Sequence, residues 1–156
     1  AVMGADPSHF KGAKLPVEQV SWNDCQKFLK KCGAQGLKLP HEDEWEYAYR
    51  GGKGNKQAYY WGDTLTEQAN FGYSLEKTTE VGSYETSAPH PWGLCDMLGN
   101  VWEWCENLYT SDGTALVVRG GSWGSYYTVC RAAYRIYREP DDRLMNVGIR
   151  VVLGQD

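Results

Sequence analysis

The chain has 156 residues, a single-domain length able to bury a core without staples, and a formal charge of −4 with no basic stripe, which excludes nucleic acid as its main partner. No apolar run reaches membrane-spanning length and no signal peptide is visible, so direct membrane insertion is not expected. Seven Trp and eleven Tyr against three Phe are the unusual feature, because these residues favour interfaces and binding loops, while eighteen glycines predict a turn-rich fold.

Residues 1–20 read as a turn-rich lead-in. Ser21 then caps a predicted helix, with Asp24 three residues on as the acidic variant of a capping box. Cys25, Phe28, Leu29 and Cys32 form its apolar stripe, and Gly33 ends it. Leu37-Lys38-Leu39 reads as a short strand stopped by Pro40. His41-Glu42-Asp43-Glu44 opens a second helix whose inner face is Trp45, Ala48 and Tyr49, closed by Gly51-Gly52.

Residues 53–92 form a long connection with two strand candidates, Tyr59–Trp61 and Glu80–Tyr84; a connection of that length is usually functional or pinned by an ion. Trp92–Trp104, WGLCDMLGNVWEW, is the densest cluster of distinctive residues, and Leu116–Arg119 leads into another strand. The five cysteines (25, 32, 95, 105, 130) are odd in number and lack a CxxC pair. They read best as small buried hydrophobes, with one or two bridges left open. The three histidines share no metal-ligand spacing.

Val118–Val151 holds neither a helical nor a strand period. It has two regular anchors, Gly120-Gly121-Ser122-Trp123 and Asn146–Arg150, around an irregular, tyrosine-rich middle, which reads as a scaffold presenting a surface. Arg131, Arg135, Arg138, Arg143 and Arg150 sit among Glu139, Asp141 and Asp142, and a salt-bridged face is favoured over a phosphate site.

The blocks PVEQVSWNDCQKFL, LKLPHEDEWEYAYRGG, PWGLCDMLGNVWEWC, RGGSW and NVGIR span about residues 16–152 and resemble, in order and spacing, the formylglycine-generating-enzyme-like (sulfatase-modifying factor) family. The resemblance implies an α+β, C-type-lectin-type fold: two helices, small twisted antiparallel sheets and long ordered loops. It also implies one domain over 1–156, without the N-terminal strand and partial helix that members usually carry ahead of the position of Ala1.

Copper-dependent members carry a C-x4-C pair after the GGS motif, as a soft Cu(I) ion requires. Counting forward from Gly121, Cys130 falls at the second position and Ser125 at the first; counting back from Pro140, Cys130 leaves the register; either way the pair is missing, no copper is expected and the chain reads as non-catalytic. In the same enzymes the positions of Asp96, Gly99, Val101 and Glu103 hold a structural calcium ion, two by side chains and two by carbonyls. Hard oxygen ligands on a turn suit that ion, and calcium is favoured over a turn bonded only to its own amides.

RGGSW, CRAAYR, the Pro140-Asp141 step and NVGIR are similar to the variable proteins of diversity-generating retroelements, in which adenine mutagenesis scatters asparagine codons. Ser125, Tyr126, Tyr127, Tyr134, Ile136, Tyr137, Asp142 and Leu144 belong to the set such codons reach, and together they are the candidate ligand-binding surface. The expected partner is a protein or a glycan, and the resemblance points to a cell surface or virion. The plainer reading, in which these tyrosines cover the core, is accepted instead for Trp22, Trp45, Trp102 and Trp104. Two rival functions stand beside it: a formylglycine-generating or related oxidase built on Cys130, and a structural domain of an envelope complex.

Overall fold

In the computed structural model, which describes residues 2–64 and 66–154, the first regular element is helix α1, Trp22–Cys32. Its start follows from the predicted capping box. The Ser21 hydroxyl accepts from the Asp24 amide at 3.1 Å, and the Asp24 carboxylate accepts from the Ser21 amide at 3.2 Å. Gly33 ends the helix with φ 63°, a left-handed conformation that glycine adopts without Cβ strain. Cys25 and Leu29 face inward, while Arg143 holds Asp24 from the far end of the chain at 2.7 and 3.0 Å.

Strand β1, Leu37–Lys38, precedes helix α2, Glu42–Tyr49. His41 is the α2 N-cap: its Nδ1 accepts from the Asp43 amide, and Glu44 accepts from the His41 amide. Trp45 and Tyr49 are the buried face. Between α2 and the next strand neither strand candidate forms. Tyr59 pairs only with Gly62 across a tight turn, and residues 80–88 are successive turns, with Ser83 N–H donating to Glu80 O and Glu85 N–H to Gly82 O.

The main sheet is built from β2 (Trp102–Leu108), β3 (Leu116–Arg119), β4 (Arg135–Arg138) and β5 (Val147–Gly148), in the order β4-β3-β2-β5. β2 pairs with β3 and β3 with β4 antiparallel, whereas β5 runs parallel to β2, so this sheet is mixed rather than purely antiparallel. β6 (Val152–Leu153) pairs with β1 in a separate two-stranded sheet.

Strand β4 corrects the expectation of an irregular terminal stretch. Its residues are RIYR, with the arginines engaged by acids and carbonyls rather than patterned by burial, so no period-2 signal appears in the sequence. The arginine face also differs in its partners. Arg135 pairs with Glu42 at 2.7 Å, Arg143 with Asp24 and Arg150 with Glu103 at 2.8 Å, not with the acids beside them in sequence.

Two hydrophobic clusters flank this sheet. One gathers Trp45, Tyr49, Tyr59, Met97, Cys105 and Cys130; the other gathers Cys25, Leu29, Leu39, Trp102, Trp104 and Val118. Cys25, Cys105 and Cys130 are buried thiols, Cys32 and Cys95 are half-buried, and all five are free. Trp22 is only half-buried, its indole N–H donating to Cys105 O.

Candidate ligand-binding surface and its supporting loop

The terminal stretch leaves β3 through Gly120 and Gly121, at φ 98° and 79°. A Cβ on Gly120 would lie 3.1 Å from the Trp45 ring, and one on Gly121 would lie 2.5 Å from Cys130 Sγ. The chain therefore passes closer to its own core than any residue but glycine permits. Ser122 and Ser125 then lock a turn: Ser122 N–H donates to Ser125 Oγ at 3.0 Å and Ser125 N–H to Ser122 O at 2.9 Å. Trp123 is buried against Phe10 and Tyr73, both edge-on to its ring.

From there the main chain is held by residues outside the stretch. Tyr73 N–H donates to Trp123 O and Gly72 N–H to Ser125 O, each at 2.8 Å. The Tyr59 hydroxyl donates to Tyr127 O at 3.1 Å, and the Tyr49 hydroxyl to Cys130 O at 3.2 Å. Ala132 N–H donates to Ala58 O at 2.9 Å. Arg119, only 1% exposed, donates to the carbonyls of Ala133 and Tyr134 at 3.1 and 3.0 Å while its other terminal nitrogen meets Glu46. Its guanidinium also lies over the Trp45 ring. Each of these bonds grips a main-chain atom of the stretch and asks nothing of its side chains.

The side chains divide sharply. Tyr126 is 69% exposed, Tyr127 55%, Tyr137 53% and Tyr134 39%, which places all four on the surface. Tyr137 leans on Tyr109, whose ring also carries the Arg135 guanidinium.

Four residues of the expected surface set are placed otherwise. Ser125 is buried, because its hydroxyl closes the Ser122 turn. Ile136 and Leu144 pack against the second hydrophobic cluster, since β4 lays Ile136 opposite Val118. Asp142 is half-buried and closes a turn, its carboxylate accepting from Glu139 N–H at 3.1 Å. Tyr73, 51% exposed with its ring 6.3 Å from that of Tyr126, joins the same surface and was not signalled by the sequence.

Cys130 is fully buried, and burial pushes its thiol up to about 12. Its sulfur lies 3.5 Å from Tyr126 O, and the residue five positions before it is Ser125.

The loop bearing Asp96, Gly99, Val101 and Glu103 lies where β2 begins, so Glu103 is a strand residue. Its carboxylate accepts from Trp45 Nε1 at 2.7 Å and from Arg150 Nε and Nη2 at 2.8 Å each. Asp96 accepts from Gly82 N–H at 2.9 Å. Burial raises the Asp96 carboxyl above its ordinary 3.8; the Gly82 amide and Arg150 oppose that rise, and Glu103 adds to it. Arg150 ion-pairs with Glu103 and acts on Asp96 only through space. Asp96, Glu103 and the carbonyls of Gly99 and Val101 are oxygen donors of the type a hard cation takes.

Residues 1–154 match the model of the sulfatase-modifying factor enzyme 1-like domain. The chain belongs to this family. It is 33% identical to the formylglycine-generating enzyme of Streptomyces coelicolor, over 90% of this chain and 53% of that protein. It is 38% identical to the inactive C-alpha-formylglycine-generating enzyme 2 of Mus musculus, over 88% of this chain and 48% of that protein. This sulfatase-modifying-factor-like chain therefore spans about half the length of the curated relatives it matches.

Among solved structures it is similar to Treponema denticola variable protein 1, with a TM-score of 0.82 and 27% identity, covering 96% of this chain and 78% of that one. The P3c variant of the major tropism determinant shares the fold at a TM-score of 0.59 and 16% identity, over 85% of this chain and 37% of that one. The family thus includes named enzymes and named inactive relatives, and the α+β fold with two helices and small sheets is that of the C-type-lectin-like variable proteins.

Proposed function

We propose that this domain is a non-catalytic binding module that displays Tyr126, Tyr127, Tyr134 and Tyr137 to a protein or glycan ligand, as a variable protein of a diversity-generating retroelement. The observation that carries the reading is the main-chain grip on residues 123–134. Arg119, Tyr49 and Tyr59 hold carbonyls of that stretch, so its outward side chains can change without loss of a supporting bond. Tyrosine suits such positions, giving rigid amphipathic contact area at low entropic cost. The similarity to a variable protein supports the same reading.

The reading is tested in the gene itself. Among sibling isolates, codons 126, 127, 134 and 137 differ, while those for Trp123, Ser125 and Cys130 stay constant. Identical sequence at all seven positions across many siblings removes the retroelement reading.

The incomplete C-x4-C pair, with Ser125 five positions before Cys130, supports a domain without copper-dependent oxidation.

Calcium belongs to this proposal as a structural ion at Asp96, Glu103 and the carbonyls of Gly99 and Val101. Its effect follows from the raised Asp96 carboxyl. In chelator, a group whose folded pKa lies above its unfolded value favours folding more as pH falls through the folded value, and that contribution is lost as pH rises. Calcium binds the ionised form, so its stabilisation is largest above that pKa and fades below it. Thermal unfolding at neutral pH should show a higher midpoint in millimolar calcium than in chelator, with the gap closing as pH approaches the carboxylate range. Superimposed curves at neutral pH contradict the site.

A further inference from the structure

Tyr47 of helix α2 and Trp92 of the connection that follows form a second pair of outward aromatic rings. Tyr47 and Trp92 are 48% and 49% exposed, with ring centroids 5.4 Å apart and planes at 56°. They do not lie flat as a stacking shelf but open as the two walls of a notch. Gly52, at φ 103°, forms the floor. A Cβ built there would stand 3.0 Å from the Trp92 six-membered ring and 3.8 Å from the Tyr47 hydroxyl, so any side chain would fill the space between them. Trp92 is braced from behind. Its amide donates to His90 Nδ1 at 3.1 Å, and His90 Nε2 lies 3.1 Å from Tyr49 O.

The helix end beside this notch is its negative pole. It lies at the C-terminal end of α2, where the helix dipole is negative and where the carbonyls of Glu46, Tyr47 and Ala48 meet the returning chain. No basic residue occupies the last turn of the helix. Arg50, at the cap, directs its guanidinium to Glu46 and to the carbonyls of Asn55 and Gln57. Asp43 stands one turn before Tyr47, on the same side of the helix, with a highly exposed carboxylate. Besides Arg50, Lys53 and Lys56 are neighbouring cations in sequence, and both are exposed. Aromatic faces attract cations through their quadrupoles, and an alkylated ammonium, which sheds water readily, gains most.

We propose that the Tyr47–Gly52–Trp92 notch is a binding site for a quaternary methylammonium group. It uses none of the terminal-stretch tyrosines and stands or falls apart from the display reading.

The test is titration of the domain with choline and with Nε-trimethyllysine amide, followed by the Trp92 indole N–H resonance. The control is 3,3-dimethylbutanol, a neutral isostere of choline. Saturable shifts with a cationic probe, at least about tenfold weaker with the isostere, are expected, because only the cation gains the ring quadrupoles. The tighter of the two cations identifies the source. Tyr47→Leu should remove the response while leaving the melting temperature in place, since that ring is half in solvent. No saturable shift with either cation overturns the proposal. So does equal binding of the neutral isostere, and this second comparison is made on the unaltered protein.

Discussion

Arg150→Ala should destabilise the domain by about 3–5 kcal/mol, because it strips the cation from a buried ion pair and leaves the carboxylate behind. Arg150 holds Glu103 with two parallel N–H bonds of 2.8 Å and the Cys95 carbonyl with a third. Glu103 is 5% exposed and its other strong donor is the Trp45 indole, which does not neutralise it. Asp96, already raised by burial, would lose the guanidinium that opposes that rise. Arg150→Lys retains charge without the planar fork and should fall between the two. The sign with pH is distinctive. Asp96, without Arg150 to oppose its rise, takes up a proton more readily in the folded state, so the variant's deficit should shrink as pH falls from neutral. Urea unfolding at neutral and mildly acidic pH measures both effects, and a loss below about 1 kcal/mol at neutral pH would show the pair to be no more than a surface contact.

The second large effect is at the entry to the terminal stretch. Gly121→Ala should cost about 2–4 kcal/mol, combining left-handed strain at φ 79° with a Cβ placed 2.5 Å from Cys130 Sγ and 3.4 Å from Cys130 Cα. The two parts separate by a double-mutant cycle. Cys130→Ala removes the sulfur, so the pair should lose less than the sum of the single changes, while the conformational strain persists. Additive losses would mean that the glycine is needed for its φ alone. The same geometry explains Cys130 without chemistry. Its sulfur fills the space that the missing Gly121 side chain leaves, and burial holds the thiol protonated, up to about 12.

What could be read from residues follows the range of the interactions. The Ser21–Asp24 box, the Gly33 terminus and the inner face of α2 were legible because each depends on neighbours a turn away. Strand β4 was not. Its order comes from pairing with Val117 and Val118 and from Glu42 and Tyr109 gripping Arg135, all distant in sequence. At the candidate surface, the exposure of the four tyrosines agrees with their lack of a period. Ser125 and Ile136 escaped because a hydroxyl that closes a turn and an isoleucine on an edge strand look the same in sequence as exposed ones. The clamps Arg119, Tyr49 and Tyr59 escaped for a related reason, since a buried polar side chain declares its role only through the carbonyl it reaches.

The measurement that tests the central claim most directly is a thermal challenge of two surface-displayed libraries. In one, codons 126, 127, 134 and 137 are randomised together; in the other, codons 123, 125, 130 and 136. The account predicts that most members of the first library keep the melting behaviour of the parent, because their side chains support no bond that holds the stretch. Most members of the second should unfold early. Comparable collapse of both libraries would place the four tyrosines in the fold's own support and contradict the display of a freely variable surface.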